Sequence, residues 1–259
     1  MVRLVLPLNR QDDLNYFYST NELNLIAMIM NNESYENQKN QLMNSWRKLK
    51  KEGDIGFVTD GIINFDKWIT YDLKLLFLAR EAYSDSDIKW DYAEWYNDGN
   101  GRVIYPKGQG FHNRINEWSY AVDSAMHGKQ SASFEEASNY EQSKKITLAS
   151  AIINLKKIGG SSKSVPNDLR SIALRDKELL LKQLELISPN IILFCATFGD
   201  VLKNILFERA IKIPETERCY ESEGILLIDF FHPTRAYKGS FDFLFDDVSK
   251  IKNKAKYLK

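Results

Sequence analysis

The sequence predicts an α/β protein: a three-layer α/β/α sandwich around a central four-stranded, mostly parallel sheet, with an N-terminal helical extension. Four short, continuously apolar runs have the length of strands that are buried on both faces. Segments with helical spacing of apolar residues separate these runs, and such alternation is typical of a parallel sheet. The chain of 259 residues is long enough for one large domain.

We expect one domain over residues 1–259, with a helical part over 1–70 and the α/β core over 71–245. The main helix of the N-terminal part is predicted over residues 22–51, because a cationic last turn and Gly53 end its apolar pattern. Residues 62–71 carry a mixed pattern that favours no element.

The core is predicted to contain the four strands in sequence order. They are LKLLFLA (73–79), TLASAIINL (147–155), NIILFCA (190–196) and GILLIDFF (224–231). Helices are predicted over 112–127, 179–187 and 199–207. The segment 84–111, rich in Asp, Gly, Asn, Trp and Tyr, is expected to be a functional loop or an insertion.

Composition narrows the classes of function. Lys and Arg number 35, as do Asp and Glu, so a nucleic-acid partner would need a local basic face rather than an overall positive charge. We expect a cytoplasmic protein without membrane spans, because no apolar run is long enough and no signal-peptide pattern opens the chain. The two cysteines, Cys195 and Cys219, form no metal-binding motif, and we expect no metal and no cofactor.

Polar residues stand where the predicted strands end. Arg80, Glu81 and Tyr83 follow the first strand, Asn154 lies in the second, and His232 follows the fourth. Because ligands of parallel α/β sheets bind at the carboxyl ends of the strands, these side chains are candidates for one site. Each residue also has a structural alternative. Glu81 would form a surface ion pair with Arg80 or Lys89, and Asn154 would form a structural hydrogen bond. Tyr83 would pack in the core, and His232 would be an ordinary loop histidine.

Three of these segments, AREAY (79–83), INLKK (153–157) and HPT (232–234), stand in the order of the motifs of the uracil-DNA glycosylase superfamily. The chain resembles that superfamily over roughly residues 73–240. The resemblance implies an enzyme that cuts the N-glycosidic bond of a base flipped out of DNA and leaves an abasic site.

The resemblance also implies roles for individual residues. Glu81 would activate water or stabilise the sugar cation, and His232 would face O2 of the departing base. Asn154 would read the edge of the base, and Tyr83 would guard its 5-position. Thr234 replaces the serine of the family and keeps a hydroxyl for a phosphate or sugar.

The remaining contacts are expected to be with the DNA backbone. The GGSS segment (159–162) is interpreted as a phosphate-binding loop or a flexible connector. The residues expected to bind DNA are Arg80, Lys156, Lys157, Ser161, Ser162, Thr234 and Arg235.

The sequence also departs from the family pattern. Ala79 and Ala82 stand where the family has Gly and Pro, and the insertion at 84–111 is long. We therefore expect a monomeric DNA glycosylase for uracil or a modified cytosine, as in members that defend against phage DNA. The alternatives are a non-catalytic nucleic-acid-binding protein on the same fold and a nucleoside or nucleotide hydrolase.

Overall fold

A computed structural model describes residues 31–50, 54, 56–83, 89–96, 110–160, 166–199, 203–237 and 239–258. Residues 32–259 form one compact unit. The predicted helix over 22–51 is confirmed for Asn32–Arg47, and its first residues lie outside the described part.

The helices have the following bounds: α1 Asn32–Arg47, α2 Phe65–Thr70, α3 Tyr92–Tyr96, α4 Gly110–Met126, α5 Phe134–Ser138, α6 Tyr140–Leu148, α7 Pro166–Arg175, α8 Lys177–Ile187, α9 Lys203–Leu206 and α10 Ser240–Ser249. Two 3₁₀ turns cover Pro233–Arg235 and Lys254–Tyr257. The helices predicted over 112–127 and 179–187 are confirmed as α4 and α8. Of the helix predicted over 199–207, the described residues after Gly199 are 203–207, and Lys203–Leu206 form α9.

The strands are β1 Phe57–Thr59, β2 Gly61–Ile62, β3 Leu75–Tyr83, β4 Lys89–Asp91, β5 Ser150–Gly160, β6 Ile191–Cys195, β7 Ile211–Lys212, β8 Cys219–Ser222 and β9 Ile225–Phe230. One sheet has the order β2-β5-β3-β6-β9-β8-β7, and β1 pairs with β4 separately. The four predicted strands are β3, β5, β6 and β9, which run parallel at the centre of the larger sheet.

The expected four-stranded sheet therefore needs correction, because the sheet has seven strands in the described part of the chain. The additional strands β2, β8 and β7 are antiparallel to their neighbours. Two of them contain only two residues each, which is too short for an alternating pattern to be recognised. The presence of β1 and β2 also means that the expected helical part, 1–70, contains strands.

The sheet order fixes where a ligand would bind. The chain passes from β3 to β5 on one side and then to β6 on the other side of β3. This reversal opens a crevice between the carboxyl ends of β3 and β6, which is the usual ligand position in such sheets. In the register, Ala79 lies opposite Asn154 and Glu81 opposite Lys156.

The core on one face of the sheet is centred on α4. Trp118 of α4 is fully buried, and its ring meets Phe230 of β9 edge-to-face at 4.8 Å. Its indole Nε1 donates a hydrogen bond of 3.2 Å to Ser240 Oγ at the start of α10. These contacts join α4 to β9 and to α10 within the core on this face of the sheet.

The segment before β5 is helical further than expected. The strand predicted from Thr147 begins at Ser150, because Thr147 and Leu148 still belong to α6. The preceding helix α5 begins with a capping box, in which Ser133 and Glu136 satisfy each other's backbone N–H groups.

Candidate active site at the strand ends

Arg80 spans the crevice between β3 and β6. Its Nε and Nη2 atoms donate hydrogen bonds of 3.0 and 2.9 Å to the carbonyl oxygen of Ala196. Ala196 has a left-handed backbone with φ of 57°, and its own N–H donates to the Phe230 carbonyl at 2.9 Å. The guanidinium therefore binds the turn that ends β6, rather than the adjacent Glu81.

Glu81 is paired across the sheet instead. Lys156 Nζ donates a hydrogen bond of 2.9 Å to Glu81 Oε2, and the two residues are register partners on β5 and β3. The side chain of Glu81 is 7% exposed and that of Lys156 26% exposed. The Glu81 carboxylate is therefore largely shielded from solvent and is paired with the Lys156 ammonium group.

His232 directly follows β9 and precedes the 3₁₀ turn Pro233–Arg235. Its Nδ1 accepts a hydrogen bond from Thr234 N at 3.4 Å and lies 2.9 Å from Thr234 Oγ1. Burial, together with the charges of Arg80 and Arg235, lowers the pKa of His232 to about 4. The ring is neutral at pH 7, and in the tautomer whose Nδ1 accepts from Thr234 N the proton is on Nε2.

Asn154 lies deep beneath the same sheet edge and is fully buried. Its backbone N–H donates to Asp60 Oδ2 at 2.7 Å, and its side-chain Nδ2 approaches the same oxygen at 3.4 Å. Its Oδ1 has no hydrogen-bond partner among the described residues. Asn154 was expected to read the edge of a base, and the structure shows it as a buried amide whose carbonyl oxygen is unsatisfied.

The expected DNA contact of Lys157 needs correction. Its side chain is 1% exposed, and Nζ donates to Asp60 Oδ1 at 2.7 Å and to Gln183 Oε1 at 2.7 Å. The ammonium also lies 4.6 Å from the centre of the Trp46 ring. Although burial lowers the pKa of Lys157, the carboxylate of Asp60 compensates its charge, so the residue is a buried ion-pair partner.

An aromatic cluster adjoins Asn154. The hydroxyl of Tyr92 forms a hydrogen bond with the Asn154 side chain, and burial raises the pKa of Tyr92. His112 Nδ1 lies 2.8 Å from the Tyr96 hydroxyl, and burial lowers the pKa of His112 to about 4. Four aromatic rings surround this histidine: Tyr92, Trp95, Tyr96 and Phe111.

The other expected site residues are placed as follows. Thr234 and Arg235 are exposed beside His232. The backbone of Tyr83 lies in β3 opposite Gly160, beyond an irregularity in the register, and its side chain lies outside the described part. Ser161 and Ser162 also lie outside the described residues.

Arg80 and Glu81 lie in the last part of β3, Asn154 lies in the adjacent strand β5, and His232 follows β9, while the Arg80 guanidinium reaches the turn after β6. Sequence reasoning missed Asp60, whose position before β2 carries no local signal. It also assigned no role to Tyr92, whose hydroxyl forms a hydrogen bond with Asn154.

Comparisons with known proteins add no family to this description. No protein-family model matches the chain, and no curated protein matches it significantly. Among the described helices, none combines the length and the apolar character that a membrane span requires.

Proposed function

We propose that the protein is a DNA glycosylase that hydrolyses the N-glycosidic bond of a flipped-out pyrimidine and leaves an abasic site. The observation that carries the proposal is the neutral His232, whose Nε2 makes no hydrogen bond among the described residues and which follows β9 at the sheet edge that also holds Glu81. The proposal includes a three-layer α/β/α sandwich, supported by α4 and α10 on one face of the mostly parallel sheet.

The chemistry requires two opposite charges to be stabilised. As the bond between base and sugar breaks, positive charge develops on the sugar and negative charge on the base oxygens. A neutral imidazole that donates from Nε2 can stabilise the base anion without having to lose a proton first. The low pKa of His232 therefore suits a hydrogen-bond donor rather than a general acid.

Glu81 is the group that would act on the sugar side. A carboxylate can stabilise the sugar cation electrostatically, or orient a water molecule and accept its proton. Lys156 holds the Glu81 carboxylate at 2.9 Å and fixes its direction along the sheet edge. The water oxygen then bonds to the sugar carbon, the bonding pair leaves with the base, and the water proton passes to the carboxylate.

DNA is the proposed partner, and a monomer in the cytoplasm is the proposed form. Thr234 and Arg235 are exposed beside His232 and suit a phosphate contact. The total charge of zero means that such contacts must be local.

The test is incubation of the purified full chain with DNA that contains uracil, unmodified cytosine, 5-hydroxymethylcytosine or glucosylated hydroxymethylcytosine. Abasic sites are measured by alkaline cleavage, and the released base is identified by mass spectrometry. We expect His232→Ala to lower the rate about 10²–10³-fold, as for loss of an oxyanion donor. Glu81→Gln should also lower it, and Glu185→Gln, an exposed carboxylate on α8, is the matched control. Absence of abasic sites in all four DNAs would overturn the proposal.

The second candidate is a non-catalytic nucleic-acid-binding protein on the same fold. It is favoured by the ion pair that engages Glu81 and by the complete burial of Asn154. DNA binding by the unmodified chain, unchanged by Glu81→Gln and without any base release, would support it.

A further inference from the structure

Lys156 is the more exposed member of its ion pair with Glu81. Its side chain is 26% exposed, whereas that of Glu81 is 7% exposed. The next residue along β5, Lys157, is 1% exposed, and its ammonium group is bound to the Asp60 carboxylate. Of these two neighbouring lysines, Lys156 is therefore the one that a ligand can contact.

The pair of Glu81 and Lys156 also lies in an open part of the sheet. The pairing of β3 with β6 ends at Leu78, whereas β3 itself continues to Tyr83. Glu81 and its register partner Lys156 therefore lie beyond the residues that β3 shares with β6. Ligands of parallel sheets bind in the crevice beyond such strand ends.

We propose that Lys156 is a nucleophile and that the protein also cleaves the DNA strand at an abasic site, through an imine between the Lys156 amine and C1′ of the deoxyribose. This inference goes beyond the proposed function, whose product is the substrate of this second reaction. Lysine amines form imines with carbonyl carbons in enzymes. In the proposed function Glu81 acts on the sugar, and Lys156 Nζ lies 2.9 Å from Glu81 Oε2. The amine is thus placed beside the same sugar.

The covalent reaction needs no co-reactant except water. The abasic sugar opens to an aldehyde at C1′, Lys156 Nζ bonds to C1′, and the aldehyde oxygen leaves as water with two of the ammonium protons. A proton is then removed from C2′, its bonding electrons form a double bond between C2′ and C3′, and the bond from C3′ to the phosphate oxygen breaks. Water finally hydrolyses the imine. The strand is left with a 5′-phosphate on one side of the break and an unsaturated aldehyde on the other.

Glu81 is the group that moves the protons. The amine attacks after it has given up a proton, and Glu81 Oε2 is within hydrogen-bond distance to accept it. The same carboxylate returns a proton to the departing oxygen and then accepts the proton from C2′. A positioned general base typically accelerates such a step about 10²–10⁴-fold.

The test uses a labelled duplex oligonucleotide with one preformed deoxyribose abasic site, which is incubated with the full chain. Sodium borohydride reduces an imine to a stable amine, so we expect a protein–DNA adduct whose modified residue is Lys156 by peptide mass spectrometry. Without borohydride, we expect strand cleavage in the absence of alkali. A duplex with tetrahydrofuran at the same position has no aldehyde carbon and should give neither product.

Two variants test the two roles. Lys156→Arg keeps the positive charge that pairs with Glu81 but has no amine that forms an imine, so the adduct should fall to background. Glu81→Gln should lower the rate of strand cleavage about 10²–10⁴-fold. Lys177→Arg is the matched control, because it changes a lysine in the ion pair with Glu208 and should leave both products unchanged. Folding of each variant is checked by its thermal unfolding transition.

The outcomes separate this inference from the proposed function. An adduct at Lys156 with strand cleavage, but without base release from any DNA, would support the inference and overturn the glycosylase proposal. Base release without an adduct on the preformed abasic site would overturn the inference alone. An adduct at another residue, or one that persists in Lys156→Arg, would also overturn it.

Discussion

The pKa of His232 is lowered by burial and by two neighbouring cations, so it responds to the replacement of a single residue. Burial is the largest cause of the lowered pKa, and the cations Arg80 and Arg235 add to it. Arg235 is exposed, so its replacement should leave the packing intact. We predict that Arg235→Gln raises the pKa of His232 from about 4 towards 6.5, its ordinary value. An NMR titration of the imidazole measures it.

The control for this prediction is Arg170→Gln, which removes an exposed arginine from α7. It should leave the titration of His232 where it is. An unchanged pKa in Arg235→Gln would contradict the electrostatic account of the neutral imidazole.

His127, which directly follows α4, shows the opposite shift, because its pKa is raised. Its Nε2 lies 3.0 Å from Asp72 Oδ2 and its Nδ1 3.1 Å from Asp123 Oδ1. Burial opposes the charged ring, but the hydrogen bond to Asp72 and the charge of Asp123 prevail and raise the pKa of His127 above 6.5. The resulting stabilisation is complete below pH 6.5 and is lost as the pH rises through the raised pKa.

We therefore predict that His127→Gln lowers the free energy of unfolding more at about pH 6 than at about pH 9. Urea unfolding of both proteins at the two pH values measures the difference. A loss of equal size at both would show that the charged form of His127 contributes nothing to the native state.

The residues that could be predicted from the sequence are those with a local signal. Glu81, Asn154 and His232 follow or end apolar runs, and the rule for strand ends brought them to attention. Lys157 was misjudged because its burial depends on Asp60, which is 97 positions earlier in the chain. Pairing over that separation leaves no trace in local periodicity.

Among the elements, helix α5 depends on its first turn. It contains only five residues, and its N-terminal N–H groups are satisfied by Ser133, with a hydrogen bond of 3.1 Å from Glu136 N to Ser133 Oγ. We predict that Ser133→Ala lowers the free energy of unfolding by about 1 kcal/mol. Ser131→Ala, an exposed serine outside the helix, is the control, and chemical denaturation measures both. Equal stability of the two variants would contradict the capping role.

The elements also show where sequence reasoning fails for physical reasons. The parallel strands β3, β5, β6 and β9 were predictable, since burial on both faces requires continuous apolar runs. The sequence contains the residues of the α5 capping box, Ser133 and Glu136. The helix could still not be predicted, because it is too short and too polar to show a recognisable apolar face. The strands β2 and β7 form only because longer neighbours offer them hydrogen-bond partners.

For the whole molecule, the ion pair between Asp60 and Lys157 joins distant parts of the chain. Asp60 precedes β2, Lys157 lies on β5, and Gln183 of α8 contacts both. We predict that Asp60→Asn alone lowers the free energy of unfolding by about 3–5 kcal/mol, because Lys157 keeps a buried charge without a counter-ion.

Adding Lys157→Met to that variant should restore much of the lost stability, since no buried charge then remains in the pair. Guanidinium unfolding of the wild type, both single variants and the double variant measures the coupling between the two residues. A double variant that is less stable than Asp60→Asn would contradict this account.

The two margins of the seven-stranded sheet have a consequence for how the protein behaves at high concentration. Both are antiparallel strands of two residues, and β7 also carries Lys212. A strand from a neighbouring molecule that added to β2 or β7 would find only two residues there with which to extend the ladder. Addition of further strands to β2 or β7 is thereby disfavoured, although the parallel strands at the centre of the sheet are among the most apolar parts of the sequence.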